Sequence, residues 1–224
     1  MGMPLRPLWQ CLLERLRGLG WRDRYPLLVA VWESPLVASP SIQLWIPHRT
    51  TGGPIVEGIF EQIVEEGHFV GASSSTLPAA SRQRIAEEAV YIACLLQELG
   101  YFGRCSLDTV LLESGALLWI ECNARWGGVS VPMTLISRLV GDWQSRSFVI
   151  VHRFGLRLRA RGFAEVMAQL RDRLFRPGGP PKGIVWLTPD AIEGGSGLHF
   201  LVLGDTRSEV LAQAKEIVSL LNEG

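Results

Sequence analysis

The chain has 224 residues, of which 47% are hydrophobic, and it carries 22 basic and 22 acidic side chains. This length allows one large domain or two small ones with a substantial core, and the balanced charge provides no field that would recruit nucleic acid or an anionic membrane. No apolar run approaches the roughly 20 residues that span a bilayer. The four cysteines are scattered without a C-x-x-C pair, which favours reduced, buried thiols over disulfides or zinc. Without a predicted signal peptide or membrane-spanning run, we expect a cytoplasmic protein.

The first quarter of the chain predicts a helix followed by two strands. Between residues 5 and 19, leucines recur at helical spacing and charged side chains interrupt them, the pattern of an amphipathic helix and not of a signal peptide. Apolar runs from Tyr25 to Glu33 and from Ser41 to Ile46 predict strands. Pro35 and Pro40 confine the link between these strands to a loop.

The next segment leads to the clearest helix of the sequence. Residues 55–65 allow either type of element, and apolar residues at helical spacing favour a helix for their later part. Gly67 to Pro78 predicts a short strand and then a polar loop. Ser81 to Leu99 predicts a long helix, with Ser81 as its N-cap and Gly100 as its stop.

The order of elements predicts an α+β fold dominated by antiparallel pairs, and it disfavours a doubly wound nucleotide fold. We predict an N-terminal helix at residues 1–24, a core at residues 25–147 and a C-terminal α/β extension at residues 148–224. The later elements are a helix from Ser130 to Leu139, a strand from Phe148, a helix from Phe163 to Leu174, strands from Gly183 to Leu187 and from Leu198 to Leu203, and a helix from Arg207 to Leu221.

The segment DTVLLESGALLWIECNAR, from Asp108 to Arg125, predicts a β-hairpin with polar residues on one face. Glu121, Asn123 and Arg125 alternate with apolar residues, so the two-residue period of a strand puts an acid, an amide and a guanidinium on one side. The other side is predicted to face the core. With Ser114-Gly115 at the turn, Asp108 lies directly opposite Glu121.

Two opposed carboxylates repel each other unless a cation lies between them. Oxygen ligands of this kind suit Mg²⁺, which takes one or two carboxylates and completes its shell with water and phosphate oxygens. A solvated sheet face is the alternative, because antiparallel sheets commonly alternate apolar and polar residues. The following Trp126-Gly127-Gly128-Val129-Ser130 segment favours a metal-phosphate site, since paired glycines let backbone N–H groups approach a ligand closely.

This succession of elements resembles the ATP-grasp superfamily, specifically the C-terminal half that forms the floor of the nucleotide site. The string GYFGRCSLDTVLLESGALLWIECNARWGGVSVPM is most similar to the branch that pairs a pre-grasp domain with an ATP-grasp domain in peptide ligases of bacterial secondary metabolism. The resemblance covers residues 25–142. It implies an ATP-grasp C-terminal-type antiparallel sheet packed with helices.

The resemblance also implies roles for the residues of the hairpin. Asp108, Glu121 and Asn123 match the residues that coordinate the Mg²⁺ bridging the phosphates of ATP. Arg125 matches the arginine that steadies the phosphate or the acyl-phosphate intermediate. The loop that contains Gly128 is expected to place backbone donors near the developing oxyanion, and each such donor contributes a few kcal/mol elsewhere.

The N-terminal part of the site matches the family less completely. The VAVWES segment resembles the linker strand that holds adenine and ribose, which nominates Glu33, but Ser39-Pro40-Ser41 stands where many relatives have a second acid. A complete ATP-grasp enzyme also contributes two phosphate-binding lysines and a glycine-rich lid from its N-terminal portion. The only lysines of this sequence, Lys182 and Lys215, follow the metal motif.

Three functions therefore remain open. The first is a truncated or split carboxylate-amine ligase that binds Mg²⁺ and ATP and acts through an acyl phosphate on a small-molecule carboxylate and amine. A second chain would then supply the missing half. The alternatives are a non-catalytic nucleotide- or ligand-binding module and a homodimeric scaffold derived from the same fold.

Overall fold

The structure, a computed structural model, describes residues 5–22, 31, 33–159, 162–194 and 197–222. The chain divides into two compact units, Met1–Glu33 and Ser34–Gly224. In the first unit the predicted N-terminal helix forms as α1 (Leu5–Gly18). The strand predicted from Tyr25 to Glu33 lies largely outside the described residues, and the domain boundaries predicted after residues 24 and 147 remain predictions.

The described part of the second unit contains nine strands and five helices. The strands are β1 (Leu36–Ala38), β2 (Pro40–Ile46), β3 (Ile55–Glu65), β4 (His68–Ser74), β5 (Gly103–Leu112), β6 (Leu117–Asn123), β7 (Ser147–Phe154), β8 (Gly183–Trp186) and β9 (Gly197–Gly204). The helices are α2 (Ala79–Glu98), α3 (Ser130–Val140), α4 (Phe163–Gln169), α5 (Asp190–Glu193) and α6 (Arg207–Leu221), with 3-10 turns at Trp143–Ser145 and Arg171–Arg173.

All nine strands join one sheet, in the order β1-β5-β2-β3-β4-β7-β9-β8, and β6 pairs with the other edge of β5. The pairings between these strands are antiparallel. The predicted α+β fold, an antiparallel sheet packed with helices, is therefore confirmed. None of the helices within the described ranges combines the length and the apolar character needed to cross a membrane.

Helices cover both faces of the sheet, as the alternation of strand residues shows. In β7, Val149 and Val151 pack in the cluster under α6, whereas Phe148 and Ile150 pack in the cluster under α3. The residues of β2 that pack on α2 include Ile42, which is fully buried. In β3, Ile59 packs with the residues under α2 and Ile63 packs with the residues under α6. Because Ile59 and Ile63 point to the same side of the strand, α2 and α6 share one face of the sheet and α3 lies on the other.

Two segments differ from the prediction because long-range pairing decides them. Residues 55–65 form β3 throughout, so the helix favoured for their later part is wrong. This strand lies between β2 and β4 and packs apolar side chains on both faces, with Phe60 buried and Ile59 and Ile63 partly buried, which hides the two-residue period. The link between Pro35 and Pro40 was predicted as a loop, but it contains β1, which pairs with the end of β5.

The start of α2 also differs from the prediction. Ser81 is not the N-cap, because the helix begins at Ala79 and its N-cap position is Pro78. The carbonyl of Pro78 accepts a hydrogen bond from the N–H of Arg82 at 3.0 Å, and no side chain caps this end of the helix. Gly100 follows the helix with a φ of +92°, as a stop residue should.

Candidate functional site

Strands β5 and β6 form the predicted hairpin, and Asp108 lies directly opposite Glu121. A bulge follows this pair, because Thr109 is opposite Trp119 instead of Ile120. The predicted register is therefore confirmed for the half of the hairpin that carries the acids and wrong for the half near the turn. Residues 117–120 are all apolar, so the alternation of residue types does not reveal the extra residue of the bulge.

The second face of β6 is less buried than predicted. Ile120 is 64% exposed and Cys122 is also exposed, so this side is not a plain core. The bulge directs Trp119 toward α2, where its indole N–H donates to a carboxylate oxygen of Glu88 at 2.9 Å. Only Cys105 of the four cysteines is buried, which corrects the expectation of buried thiols, and all four are free.

A row of hydrogen-bonded polar side chains connects Asp108 to the glycine loop, the Gly127-Gly128 segment between β6 and α3. The hydroxyl of Ser41 donates to Asp108 Oδ1 at 2.7 Å, and Gln43 Nε2 donates to Ser41 Oγ at 3.4 Å. The hydroxyl of Ser130 donates to Gln43 Oε1 at 2.8 Å and accepts the N–H of Gly127 at 3.0 Å. The three linking side chains are at most 3% exposed. The position of the loop is thus coupled to the acid through four hydrogen bonds.

The sequence of β2 explains how this row is built. Ser41 and Gln43 alternate with Ile42 and Leu44, and the strand is buried on both faces. The apolar residues face α2, so the polar ones face the side of the sheet on which α3 lies. Buried polar groups are costly unless they are hydrogen-bonded, and here each partner comes from β5 or from the start of α3. Sequence reasoning identified β2 as a strand but missed the role of its polar positions.

The environment of Asp108 disfavours its charged form. Burial raises the pKa of Asp108 above its usual value, and the neighbouring carboxylate of Glu121 raises this pKa further. Hydrogen bonds from Ser41 and Gln62 to Asp108 lower the pKa but do not reverse the shift. A cation between the two acids would remove the repulsion between them.

Asn123 and Arg125 lie next to the acids and contact each other. Nη2 of Arg125 donates to Asn123 Oδ1 at 3.0 Å, and Nη1 donates to the carbonyl oxygen of Trp126 at 3.2 Å. Both β6 residues with predicted metal roles face β5 partners on the same side, since Asn123 is opposite Ser106 and Glu121 is opposite Asp108. The hairpin therefore brings the predicted acid, amide and guanidinium groups together.

The remaining predicted residues lie around this hairpin or outside its unit. A Cβ placed on Gly127 would be 3.5 Å from Ser106 Oγ, and one on Gly128 would be 3.7 Å from the ring of Phe69, so the loop lies close over the sheet. Gly128 as a donor to an oxyanion stays a prediction. Glu33 is exposed and is the last residue of the first compact unit, and its predicted contact with adenine or ribose also stays a prediction.

Sequence reasoning missed a partly buried charge at the other end of this face. The guanidinium carbon of Arg104 lies 4.7 Å from the ring centre of Trp126 and 6.0 Å from that of Trp45. The same guanidinium forms an ion pair with Glu57, and the two side chains are 15% and 25% exposed. Arg104 thus holds Trp126, the neighbour of Arg125, by a cation–π contact. The only sequence signal is an arginine at a strand position two residues before Ser106.

The donor set of the hairpin can be compared with the needs of Mg²⁺. Within the described ranges, no cluster of three or more histidine, cysteine, aspartate or glutamate side chains could hold a metal ion. The hairpin offers two carboxylates and one amide oxygen, which suits an ion that keeps several waters and binds substrate phosphates. Closed zinc or calcium sites need more protein ligands. Mg²⁺ at Asp108, Glu121 and Asn123 remains a prediction.

No protein-family model and no curated protein matches the sequence, but solved structures do. An N5-carboxyaminoimidazole synthase from Aspergillus clavatus in complex with ADP is 14% identical, with a TM-score of 0.61 over 94% of this chain and 57% of that one. Biotin carboxylase from Campylobacter jejuni is 13% identical, with a TM-score of 0.55 over 82% and 45%. L-amino acid ligase from Bacillus licheniformis is 16% identical, with a TM-score of 0.54 over 82% and 53%.

These similarities show that the chain has the ATP-grasp fold, as the sequence predicted. At this level of identity they show the fold alone. The chain spans about half the length of these three structures, between 45% and 57% of each.

Proposed function

We propose that this protein is a component of an ATP-dependent carboxylate-amine ligase and that its β5–β6 hairpin binds Mg²⁺ and the phosphates of ATP. The main support is the half-buried Asp108, which lies opposite Glu121 and is hydrogen-bonded through a buried polar row to the glycine loop. Such an arrangement raises the energy of the empty site, and residues that lower stability without a packing role are typical of binding sites.

The residues have distinct proposed roles. Asp108, Glu121 and Asn123 would hold Mg²⁺ through oxygen atoms. When bound, Mg²⁺-ATP supplies the phosphoryl group that activates a carboxylate as an acyl phosphate. Arg125, exposed and hydrogen-bonded to Asn123, is free to turn toward a phosphate or acyl phosphate, because its present partners are a side-chain amide and a carbonyl. Gly128 would direct its backbone N–H toward the oxyanion of the tetrahedral adduct.

The second half of the active site is proposed to come from another chain, either a different protein or a second copy. Lys182 lies 3.8 Å from Asp205, and Lys215 is on α6, which packs on the face opposite α3. Neither lysine belongs to the hairpin that carries the acids. Positive charge for the α- and β-phosphates would therefore come from outside this hairpin, and arginine is a poor replacement for a compact ammonium group.

A non-catalytic nucleotide-binding module is the second candidate. The same lysines favour it, because a hairpin with metal ligands and no lysine could bind Mg²⁺-ATP without turning it over. A homodimeric scaffold is the third, and the exposed edge strand β6 is the feature that would suit it.

Isothermal titration calorimetry with ATP tests the proposal. We expect saturable heat only in the presence of Mg²⁺, and at least a tenfold loss of affinity in Glu121→Gln, because the variant removes a charged ligand. The matched control is Glu98→Gln, an exposed residue at the end of α2, which should bind like the wild type. Absence of binding at about 5 mM ATP with Mg²⁺, which corresponds to less than about 3 kcal/mol of binding energy, would reject the nucleotide site.

ADP release then separates the two leading candidates. A ligase component, mixed with its partner chain, should release ADP only when a carboxylate substrate is present. A binding module should retain ATP without turnover under every combination of carboxylate, amine and partner chain.

A further inference from the structure

A groove of about 910 Å³ opens beside β4 and β7. Its lining includes the rings of Phe69, His152 and Phe154 and the acids Glu65 and Glu66 at the β3–β4 turn. His152 shares a face with Ile150, which packs in the α3 cluster, and this is also the face of the polar row that ends at Asp108. The rings of the groove are therefore on the same side of the sheet as the acids of the hairpin, whereas Glu65 and Arg153, which also line it, lie beside Val149 and Val151 on the α6 side.

Contacts between rings connect the groove to the glycine loop. A Cβ on Gly128 would lie 3.7 Å from Phe69 Cε1. The ring of Phe69 meets the ring of His152 edge-on at 5.9 Å, and His152 meets Phe154 at 4.4 Å. A ligand in the groove would thus lie next to the loop that is proposed to receive the oxyanion.

Two neutral histidines occupy the inner part of this region. His152 and His199 face each other across β7 and β9, with ring centres 4.6 Å apart. Burial lowers the pKa of His152, and burial together with the neighbouring His152 lowers the pKa of His199 to about 4. Nε2 of His199 is buried and has no hydrogen-bond partner among the residues that the structure describes. At neutral pH both rings are therefore uncharged, and a ring nitrogen of each can accept a hydrogen bond.

We propose that this groove is the acceptor site of the ligase, that it binds an amine with an aromatic or branched apolar side chain, and that His152 receives the proton which this amine loses. The inference rests on the proposed function. In the reaction, the amine nitrogen forms a C–N bond to the acyl carbon and the C–O bond to phosphate breaks. Phosphate leaves with that electron pair, and an N–H proton of the amine passes to the unprotonated ring nitrogen of His152.

The charges around the groove suit an amine. Glu65 is paired with Arg153, whose two terminal nitrogens each lie 2.5 Å from one of its oxygens. Glu66 is an exposed acid at the rim and forms no ion pair with a described residue. Besides these three, His68 on β4 and His199 on β9 are the titratable groups around His152. The rings of Phe69 and Phe154 offer faces to an apolar side chain and to an ammonium group.

Nuclear magnetic resonance of the histidine rings tests this proposal with L-phenylalaninamide, an amine that has no carboxylate and cannot act as the donor. We expect the ring signals of His152 and His199 to shift, and those of His48, on the other end of the sheet, to stay unchanged. A ring nitrogen of His152 should show the ¹⁵N shift of a hydrogen-bond acceptor. Glycinamide should bind about tenfold more weakly, since it lacks the apolar side chain, and 3-phenylpropionamide, which lacks the amine, should leave the ¹⁵N signal unchanged.

The chain provides a matched pair of variants for this experiment. Phe154 is 65% exposed and contacts His152, whereas Phe102 is 63% exposed and contacts His48. Phe154→Ala should weaken the binding of L-phenylalaninamide by roughly fivefold or more, because a ring that buries part of the ligand is lost. Phe102→Ala should leave the affinity unchanged.

Three results would overturn the acceptor assignment. The first is an unchanged ring signal of His152 at about 20 mM L-phenylalaninamide, a concentration at which any useful site would be occupied. The others are equal shifts of the His48 and His152 signals and equal effects of the two phenylalanine variants on affinity. Failure of the nucleotide site is distinguishable from these. Asp108→Asn should remove the binding of Mg²⁺-ATP and leave the binding of the amide intact. If the amide binds and Mg²⁺-ATP does not, the ligase proposal fails and the groove remains an amine site.

Discussion

Replacement of Asp108 by asparagine is expected to stabilise the metal-free protein and to abolish its stabilisation by Mg²⁺-ATP. The side chain is half-buried, its pKa is raised by burial and by Glu121, and it accepts a hydrogen bond from Ser41. Asparagine keeps the shape and an acceptor for Ser41 but carries no charge. The wild type thus holds a repulsive pair of carboxylates that the variant lacks.

The magnitude follows from the cross-strand geometry. Side chains directly opposite each other have Cβ atoms about 5 Å apart, and two unit charges at about that distance repel by about 1 kcal/mol in water and by about 3 kcal/mol at an effective dielectric constant of 20. Solvent screens the exposed part of Asp108, and the weaker hydrogen bond from Ser41 in the variant offsets about 1 kcal/mol. We expect a net gain of about 1 kcal/mol, or about 2–4 °C in Tm.

The pH dependence has a definite sign. Because the folded-state pKa of Asp108 is raised, folding favours the protonated carboxyl, so the wild type is most stable below the unfolded pKa of about 4 and loses that advantage as the pH rises through the folded pKa. The variant should therefore exceed the wild type in stability at pH 7 and approach it near pH 4.

Thermal unfolding in EDTA and in Mg²⁺-ATP measures both effects. A ligand at 100 times its Kd stabilises by about 2.7 kcal/mol, so the wild type should overtake the variant when Mg²⁺-ATP is present. Asp172→Asn, whose side chain is 97% exposed, is the control and should behave like the wild type in both solutions. A variant that is less stable than the wild type in EDTA at pH 7, or equal stabilisation of both by Mg²⁺-ATP, would refute the reasoning.

Three further predictions concern the surroundings of the site. Ser130→Ala should lower the free energy of unfolding in urea by about 1–3 kcal/mol, because the buried Gln43 and the partly buried N–H of Gly127 each lose a hydrogen bond. Arg104→Met should cost about 2 kcal/mol by leaving Glu57 unpaired, whereas Arg84→Met, in an exposed pair, should cost less than about 0.5 kcal/mol in the same assay. A thiol reagent should modify three cysteines of the native protein and reach Cys105, whose pKa burial raises to about 12, only after unfolding.

The hairpin was predictable from the sequence because local rules determine it. A turn of about two residues and the two-residue period of strands are enough to place Asp108 opposite Glu121, and the structure confirms this pair. The bulge after Asp108 was not predictable, since it places Trp119 against Glu88 of α2, which is 31 residues away along the chain. Local pattern thus predicts which residues meet across a turn, and packing decides where the pairing becomes irregular.

Features that depend on distant segments were missed for a common reason. Ser41 and Asp108 are 67 residues apart, and Ser130 and Gln43 are 87 apart, so no periodicity could connect them. The same limit produced the wrong helix for the later part of residues 55–65, because only its two neighbouring strands determine that it is a central strand. The sequence therefore predicted the hairpin residues of the site, and it did not predict the buried polar row of Ser41, Gln43 and Ser130.

Asp108 and Glu121 are proposed to hold a divalent cation together with a nucleotide, and a paramagnetic cation can report on that contact. Mn²⁺ can replace Mg²⁺ at oxygen sites, and its paramagnetism broadens nearby amide signals in NMR spectra. With ATP present, Mn²⁺ should broaden the signals of Asn123 and Gly127 in the wild type and leave them sharp in Glu121→Gln, while Glu98→Gln behaves like the wild type. Equal broadening in the wild type and Glu121→Gln, or none in either, would contradict the account.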